Sequence, residues 1–219
     1  MSSGADRARR LVVLRHGEST HNAAGIWQGQ LDVPLSAKGV AQAAAAGAAL
    51  RSLHPARVVS SDLARAAATG QAVSSACAIP MTLDPRLREV DAGAWQGLTG
   101  DEVSQGWPQE WSAVLRGEDV PRGVHGETMG QVARRVGECL DEVVAAMAPG
   151  ECVVVATHGA AGRAAVAQLL GLDQELAWRI LGGFGNCHWS ELVQGRRGWF
   201  VRTWNVSVVG DRIEAASPP

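Results

Sequence analysis

Leu11-Val12-Val13-Leu14-Arg15-His16-Gly17-Glu18-Ser19 is the stretch from which the rest of the chain can be read. Its first four residues are apolar without a polar break, and two are β-branched. Such a run reads as a strand buried on both faces, as in a parallel sheet. The strand gives way to Arg15 and His16, and Gly17 after them lets the backbone turn sharply and approach a ligand. The same layout returns late in the chain, where a second buried strand, Glu151 to Ala156, runs into Thr157-His158-Gly159. Ligands of open parallel sheets bind beyond the carboxyl ends of the strands. Both histidines are therefore expected on one edge. A third strand end joins them: Val58-Val59 leads into Ser60-Ser61-Asp62, and Arg65 follows one turn into the next helix.

Working outward, residues 15–35 lack apolar periodicity and read as a loop. Ser36 caps a helix running to about Leu53, which Pro55 ends. A helix to about Cys77 and a short strand near Met81–Leu83 follow. Thr128 to Met147 is helical, with Val132, Val136, Leu140, Val143 and Val144 on one face, and Gly159 to Leu170 is a further helix. Asn186–Val193 and Gly198–Val206 read as strands joined by a turn at Gly195–Gly198. The alternation of strand and helix predicts one α/β domain, residues 1–219, around a mainly parallel sheet. Residues 84–127 differ: Gly, Pro and Trp are frequent and the periodicity breaks. A long irregular stretch in such a domain is usually functional. Short helices near Gly100–Gln105 and Pro108–Leu115, forming a lid over a site, are expected there.

Composition narrows the partners. With 46% hydrophobic and 19% charged residues the 219-residue chain has an ordinary globular balance. Its net charge of -2 gives no reason to expect nucleic acid or a membrane surface as a partner. No apolar run approaches the roughly 20 residues that span a bilayer, and Leu11–Leu14 is too short for a signal-peptide core after the basic stretch Met1–Arg10. A cytoplasmic location is expected. Cys77, Cys139, Cys152 and Cys187 lie far apart and read as small core residues. The terminal segment from Phe184 onward is apolar and Trp-bearing, and a homodimer through it is preferred.

Two histidines and two arginines converging from three strand ends suit a phosphoryl group. Arginine offers a planar fork of donors that stays charged. A phosphoryl group in transfer spreads charge over its equatorial oxygens, which such donors stabilise. A neutral imidazole is a competent nucleophile when its other nitrogen is held. His16, beside Arg15, is the better nucleophile, and His158 would then hydrogen-bond a phosphoryl oxygen. The leaving alkoxide needs a proton, and Glu89, where the irregular segment begins, is the leading donor. A structural ion pair with Arg86 or Arg88 is the alternative for Glu89. No metal is required, and no cluster with metal-ligand spacing stands out. The expected partner is a small phosphorylated molecule.

These residues resemble the signature of the histidine phosphatases, the phosphoglycerate-mutase-like superfamily. The resemblance begins with Leu14-Arg15-His16-Gly17-Glu18-Ser19 and Asn22, and continues through residues 28–36 and Ser60-Ser61-Asp62-Leu63-Ala64-Arg65-Ala66. It runs on through Leu87-Arg88-Glu89, residues 93–97, Gly126-Glu127-Thr128 and His158-Gly159. It implies a three-layer α/β/α sandwich with helices on both faces of the sheet and an irregular lid. It also implies His16 as the phosphorylated nucleophile, Glu89 as acid and base, Arg15, Arg65 and His158 in the phosphate pocket with Asn22 supporting it, and Gln28 against substrate. No cofactor is implied. A narrower resemblance, carried by residues 86–89, 91–99 and 181–186 with Trp204-Asn205, is to the glucosyl-3-phosphoglycerate phosphatases. Thr128, where serine is common, and Val90-Asp91-Ala92 depart from the wider pattern.

The alternatives within the superfamily are a cofactor-dependent phosphoglycerate mutase and a broad-specificity phosphatase acting on another phosphometabolite. Mutases usually carry more chain between the acid/base glutamate and the second histidine, and must exclude water. The modest span from Trp95 to Thr128 favours a phosphatase. A binding protein on the same fold would normally have lost His16, Glu89 or an arginine, and all are present. His21, His54, His125 and His188 read as structural or exposed, with His125 the nearest to the lid. Trp27, Trp95 and Trp107 are candidates for the mouth of the site, where aromatic walls would suit a sugar, though packing explains them as well.

Overall fold

The computed structural model describes residues 8–208 and the backbone of residues 209 and 212–215. The basic N-terminal stretch up to residue 7 and the end of the terminal segment lie outside the described residues. The first strand, β1 (Arg10–Arg15), pairs in parallel with β4 (Cys152–Thr157), which pairs in parallel with β2 (Arg57–Ser60). A short β3 (Met81–Leu83) extends this parallel half beyond β2. On the other side of β1 the chain adds β5 (Trp189–Gly195), β6 (Gly198–Val209) and β7 (Arg212–Ala215), each antiparallel to its neighbour. The order is β3-β2-β4-β1-β5-β6-β7. Strands β1 to β4 and β6 point the same way, as the sequence predicts.

Alternation along β1 explains the layers. Leu11 and Val13 face one side and Val12 and Leu14 the other, all four fully buried. The first face is covered by α6 (Met129–Ala145) and α7 (Gly159–Leu170). Met129, Val132, Val136, Leu140 and Val143 recur at three- and four-residue spacing on α6 and meet the sheet as one stripe. Thr128 and Gln131 close the start of α6 with a reciprocal capping box. The second face is covered by α2 (Ala37–Leu50) and α3 (Ala64–Cys77), through Ala43, Ala46, Leu50 and Val73. The fold is thus a three-layer α/β/α sandwich.

Several elements differ from the sequence reading. The expected loop 15–35 contains a short helix, α1 (Thr20–Ala24), closed by a capping box between Ser19 and Asn22. The helix from Ser36 ends at Leu50, and a 3-10 turn, Arg51–Leu53, completes it. Another short helix, α8 (Gln174–Ile180), follows Asp173, whose side chain caps it. The strands β5 and β6 are longer toward the C-terminus than expected, and β7 is additional. Short helices are hard to see in a sequence because five to seven residues carry too little periodicity, and only their caps announce them.

Segment 84–127 holds the two expected helices, α4 (Gly100–Gly106) and α5 (Pro108–Leu115), with 3-10 turns at Pro85–Leu87 and Gly93–Trp95. It builds its own small core from Ala92, Trp95, Val103 and Val114, closed by Trp27 and Trp111. The three indoles Trp27, Trp95 and Trp111 meet edge to face with centroids 5.4 to 6.1 Å apart, the arrangement their ring quadrupoles prefer. Backbone bonds from Trp27 N–H to the Leu98 carbonyl and from Gly97 N–H to the Trp27 carbonyl, both 2.8 Å, join the segment to the loop after α1. No described helix is long and apolar enough to cross a membrane.

Candidate active site

The register of β1, β4 and β2 brings their carboxyl ends together, with Arg15 opposite Thr157 and Ser60 opposite Ala156. His16 N–H donates to the Thr157 carbonyl and Ser61 N–H to the Ala156 carbonyl, both at 2.9 Å. The sheet thus continues for one rung beyond its strands and fixes where His16 and His158 start. Their rings meet edge-on, centroids 5.1 Å apart.

Gly17 owes its place to packing. A Cβ there would lie 2.5 Å from the Gly39 carbonyl oxygen of α2, while the expected need for an unusual backbone turn is absent. Gly159 has room for a Cβ, with Arg15 Nε 3.6 Å and Glu89 Oε2 3.7 Å away. The two glycines therefore do different things: one admits a helix, the other leaves space beside two polar groups.

His16 is 2% exposed. Its Nδ1 lies 2.7 Å from the Gly17 carbonyl oxygen. A carbonyl only accepts, so Nδ1 carries the proton and the lone pair is on Nε2. Arg65 Nε–H donates to that Nε2 at 3.3 Å. Burial, followed by the charges of Arg15 and Arg65, holds this imidazole well below the usual histidine pKa. His16 is neutral at pH 7, as a nitrogen nucleophile must be.

Arg65, wholly buried on α3, spends its other nitrogens on the loop after α1: Nη1 donates to the Leu31 carbonyl and Nη2 to the Gly29 carbonyl, each at 2.8 Å. Asp32 Oδ1 accepts the Ala64 N–H at 2.7 Å, tying the same loop to the start of α3. Arg15 donates through Nη1 to the Phe184 carbonyl, and its Nε is buried without a partner. That unpaired donor is free for an anion.

His158 is buried behind His16, not in the cavity wall. Its Nε2 lies 2.9 Å from Ser61 Oγ, and its Nδ1 is buried without a partner. Burial first, and then His16, Arg65 and Arg15, keep it neutral.

Glu89 sits at the start of α7. Oε1 accepts the N–H groups of Val90 and Ala161 at 3.0 Å, and Oε2 accepts that of Ala160 at 3.1 Å. Neither nearby arginine pairs with it: Arg86 is held by Asp84 and Glu142, and Arg88 by Asp62 in a two-pronged bond of 2.6 and 2.7 Å. The carboxyl is thus aimed by backbone donors.

A cavity of about 380 Å³ joins these groups. Arg15, His16, Asn22, Gln28, Arg65 and Glu89 line it, so six of the seven residues singled out in the sequence share one wall. Asn22 Oδ1 accepts from Asn186 Nδ2 at 3.1 Å, and the same Nδ2 is 3.2 Å from the His16 carbonyl oxygen. The Ser19 hydroxyl donates to Gln28 Oε1 at 2.7 Å. Of the tryptophans considered for the mouth, Trp27 lines the cavity, whereas Trp95 is fully buried in the small core that Trp107 flanks. His125 is exposed and outside the lining.

Sequence reasoning missed Arg163, which also lines the cavity. Its signal was an arginine four residues after Gly159 on an otherwise small-residue helix. It also missed Arg135, which donates to the carbonyls of Arg86, Arg88 and Glu89 and to both oxygens of Glu127, at 2.6 to 2.8 Å. Glu127 in turn accepts the Asp91 N–H. The Gly126-Glu127-Thr128 motif therefore braces the segment that carries Glu89.

The family model described as "Histidine phosphatase superfamily (branch 1)" matches residues 11–207. The chain belongs to this superfamily. A relative named glucosyl-3-phosphoglycerate phosphatase, from Mycolicibacterium vanbaalenii, is 38% identical over 92% of this chain and 96% of its own. A relative named probable phosphoglycerate mutase GpmB, from Erwinia tasmaniensis, is 32% identical over 92% of this chain and 93% of its own. The solved structure of mycobacterial glucosyl-3-phosphoglycerate phosphatase complexed with VO3 superposes with a TM-score of 0.83 at 37% identity, covering 90% of this chain and 99% of that one. His16, buried and held neutral near Arg15 and Arg65, is the candidate in this chain for the histidine that gives the superfamily its name.

Proposed function

We propose that the chain hydrolyses phosphate monoesters through a phosphohistidine on His16, with glucosyl-3-phosphoglycerate as the substrate. The observation that carries the reaction is the tautomer of His16: Nδ1 bonded to the Gly17 carbonyl leaves Nε2 to attack, with Arg65 Nε at 3.3 Å. The Nε2 lone pair forms the N–P bond as the P–O ester bond breaks. Arg15 and Arg65 take up charge on the equatorial oxygens. Glu89 gives its proton to the leaving alkoxide, then takes one from the water that cleaves the N–P bond. Oε2, with one backbone bond against two on Oε1, has the room for that proton. His158 orders the site from behind His16 through Ser61. Segment 84–127, joined to the Trp27 loop, serves as the lid.

The substrate reading rests on the 38% identical relative's name and on Trp27, an aromatic wall in the cavity fit to face a sugar. Phosphate release should be measured with glucosyl-3-phosphoglycerate, mannosyl-3-phosphoglycerate, 3-phosphoglycerate, fructose bisphosphates and α-ribazole phosphate. Preference for the glucosylated ester is the expected result. Interconversion of 2- and 3-phosphoglycerate without phosphate release would replace hydrolysis by a mutase reaction. His16→Ala should abolish both turnover and labelling of the protein by a phosphoryl group.

A further inference from the structure

Arg163 is a cation in the cavity for which the phosphoryl chemistry has no use. It stands on α7 four residues after Gly159 and three after Ala160, so the three share one helix face, and all three line the cavity. Its guanidinium lies over the Trp178 ring of α8, 3.6 Å from the centroid. Its Nη1 is 3.4 Å from the Leu181 carbonyl oxygen, and its Nε is buried without a partner. No carboxylate among the described residues forms a salt bridge with it. A half-buried guanidinium held by one ring and one carbonyl is under-compensated.

Its place in the cavity indicates what would complete it. The cations that act on His16 are Arg15 and Arg65. Burial lowers the pKa of Arg163 to about 10, which leaves it cationic at neutral pH. Ala160, one turn before it on the same face, donates its N–H to Glu89 Oε2 at 3.1 Å. The helix face thus carries Arg163 into the cavity beside the point where Glu89 is held, the group assigned to the leaving alkoxide. We propose that Arg163 forms a leaving-group subsite that binds a second anion of the substrate, a carboxylate carried on the alcohol portion a few bonds from the ester oxygen. A planar guanidinium fork without a carboxylate partner suits a carboxylate. The ring of Trp178 fixes the plane of that fork before the ligand arrives. This inference rests on the phosphatase reading for the assignment of Glu89 to the leaving-group side.

The test compares 3-phosphoglycerate with glycerol 3-phosphate, which differ only by a carboxylate in place of a hydroxymethyl group. Dissociation constants measured by calorimetry in a His16→Ala background keep turnover out of the comparison. The carboxylate ligand should bind about ten- to a hundredfold more tightly, the range of one charge-assisted hydrogen-bond pair. Adding Arg163→Gln should bring the ratio close to one by weakening 3-phosphoglycerate alone. Arg163→Lys, which keeps the charge without the fork, should give a ratio between the two, and it carries the test if circular dichroism shows the glutamine variant unfolded. Parallel weakening of both ligands would make Arg163 a phosphate ligand or a packing residue and overturn the inference. So would a ratio near one before substitution, or one that Arg163→Gln leaves intact. Phosphate release by the unaltered protein is measured alongside. Its absence from every ester sinks the phosphatase reading, while the binding ratio still reports on the subsite.

Discussion

The His16 ring stands edge-on to the His158 ring, at 63° with centroids 5.1 Å apart, and both are closed off from solvent. Two imidazoles at that distance between Arg15 and Arg65 cannot readily take protons. Burial is the largest cause for each, and each is held well below its ordinary pKa.

The folded state should therefore lose stability as pH falls. Unfolded histidines take up protons below about pH 6.5, while these two do not, so the unfolded chain binds more protons there. Stability is full above that pH and declines by roughly 1 kcal/mol per pH unit for each histidine as pH falls toward the folded values. The window lies above the one set by Asp62, Asp84 and Glu127, whose lowered pKa values matter only below the usual carboxylate range. Urea midpoints between pH 5 and 7 measure it. A slope that His16→Asn leaves unchanged would show that His16 contributes nothing to it.

Glu89→Gln tests the proton donor. Esters with poor leaving groups should slow far more than p-nitrophenyl phosphate, whose leaving group needs little protonation. One amide NH2 would also face a backbone N–H of Val90, Ala160 or Ala161, which costs about 1–3 kcal/mol of stability. Equal slowing of both ester types would remove Glu89 from the acid role.

Trp27→Ala tests the aromatic wall. The substitution should raise KM about tenfold for glucosyl-3-phosphoglycerate and much less for 3-phosphoglycerate, given the ~1–2 kcal/mol of an aromatic face. Steady-state kinetics on the two esters decide it. Losses of the same size on both would assign Trp27 to lid packing.

Arg135→Met tests how Glu89 is held. The guanidinium bridges three carbonyls of the 86–89 stretch and the Glu127 carboxylate. Its removal leaves a half-buried Glu127 unpaired, and about 3 kcal/mol of stability should go with it. Turnover should fall while affinity for inorganic phosphate, whose proposed ligands Arg15 and Arg65 make no bond to Arg135, changes little. An unaltered urea midpoint would contradict this.

The sheet was legible because Leu11–Leu14 and Cys152–Ala156 are unbroken apolar runs that each lead into a histidine followed by glycine. The convergence of the candidate residues was legible because topology carries His16, His158 and Arg65 to one edge. Orientation was not. Nothing in the chain tells that His158 turns to Ser61 behind the cavity wall, since both its ring nitrogens are equivalent in a sequence. Arg163 sits among small residues and Arg135 beside Arg134 on an amphipathic helix, and at either place an arginine ordinarily points to solvent. Their roles depend on what lies across the gap: Trp178 for one, the carbonyls of residues 86–89 for the other. Gly17 carried a signal that was read for the wrong reason, because the carbonyl that crowds it belongs to a helix twenty residues on.

The three bonds of Arg65 make one side chain answerable to two customers. Its Nε meets His16, while Nη1 and Nη2 hold the carbonyls of Leu31 and Gly29. Gln28 and Trp27 ride on the stretch those carbonyls anchor. An anion bound by the guanidinium would pull on the same anchor, so occupancy beside His16 and order of the loop carrying Gln28 and Trp27 would be thermodynamically linked. Activity lost on replacing Arg65 would then sum two effects, and a double-mutant cycle with Trp27 would return a coupling well away from zero.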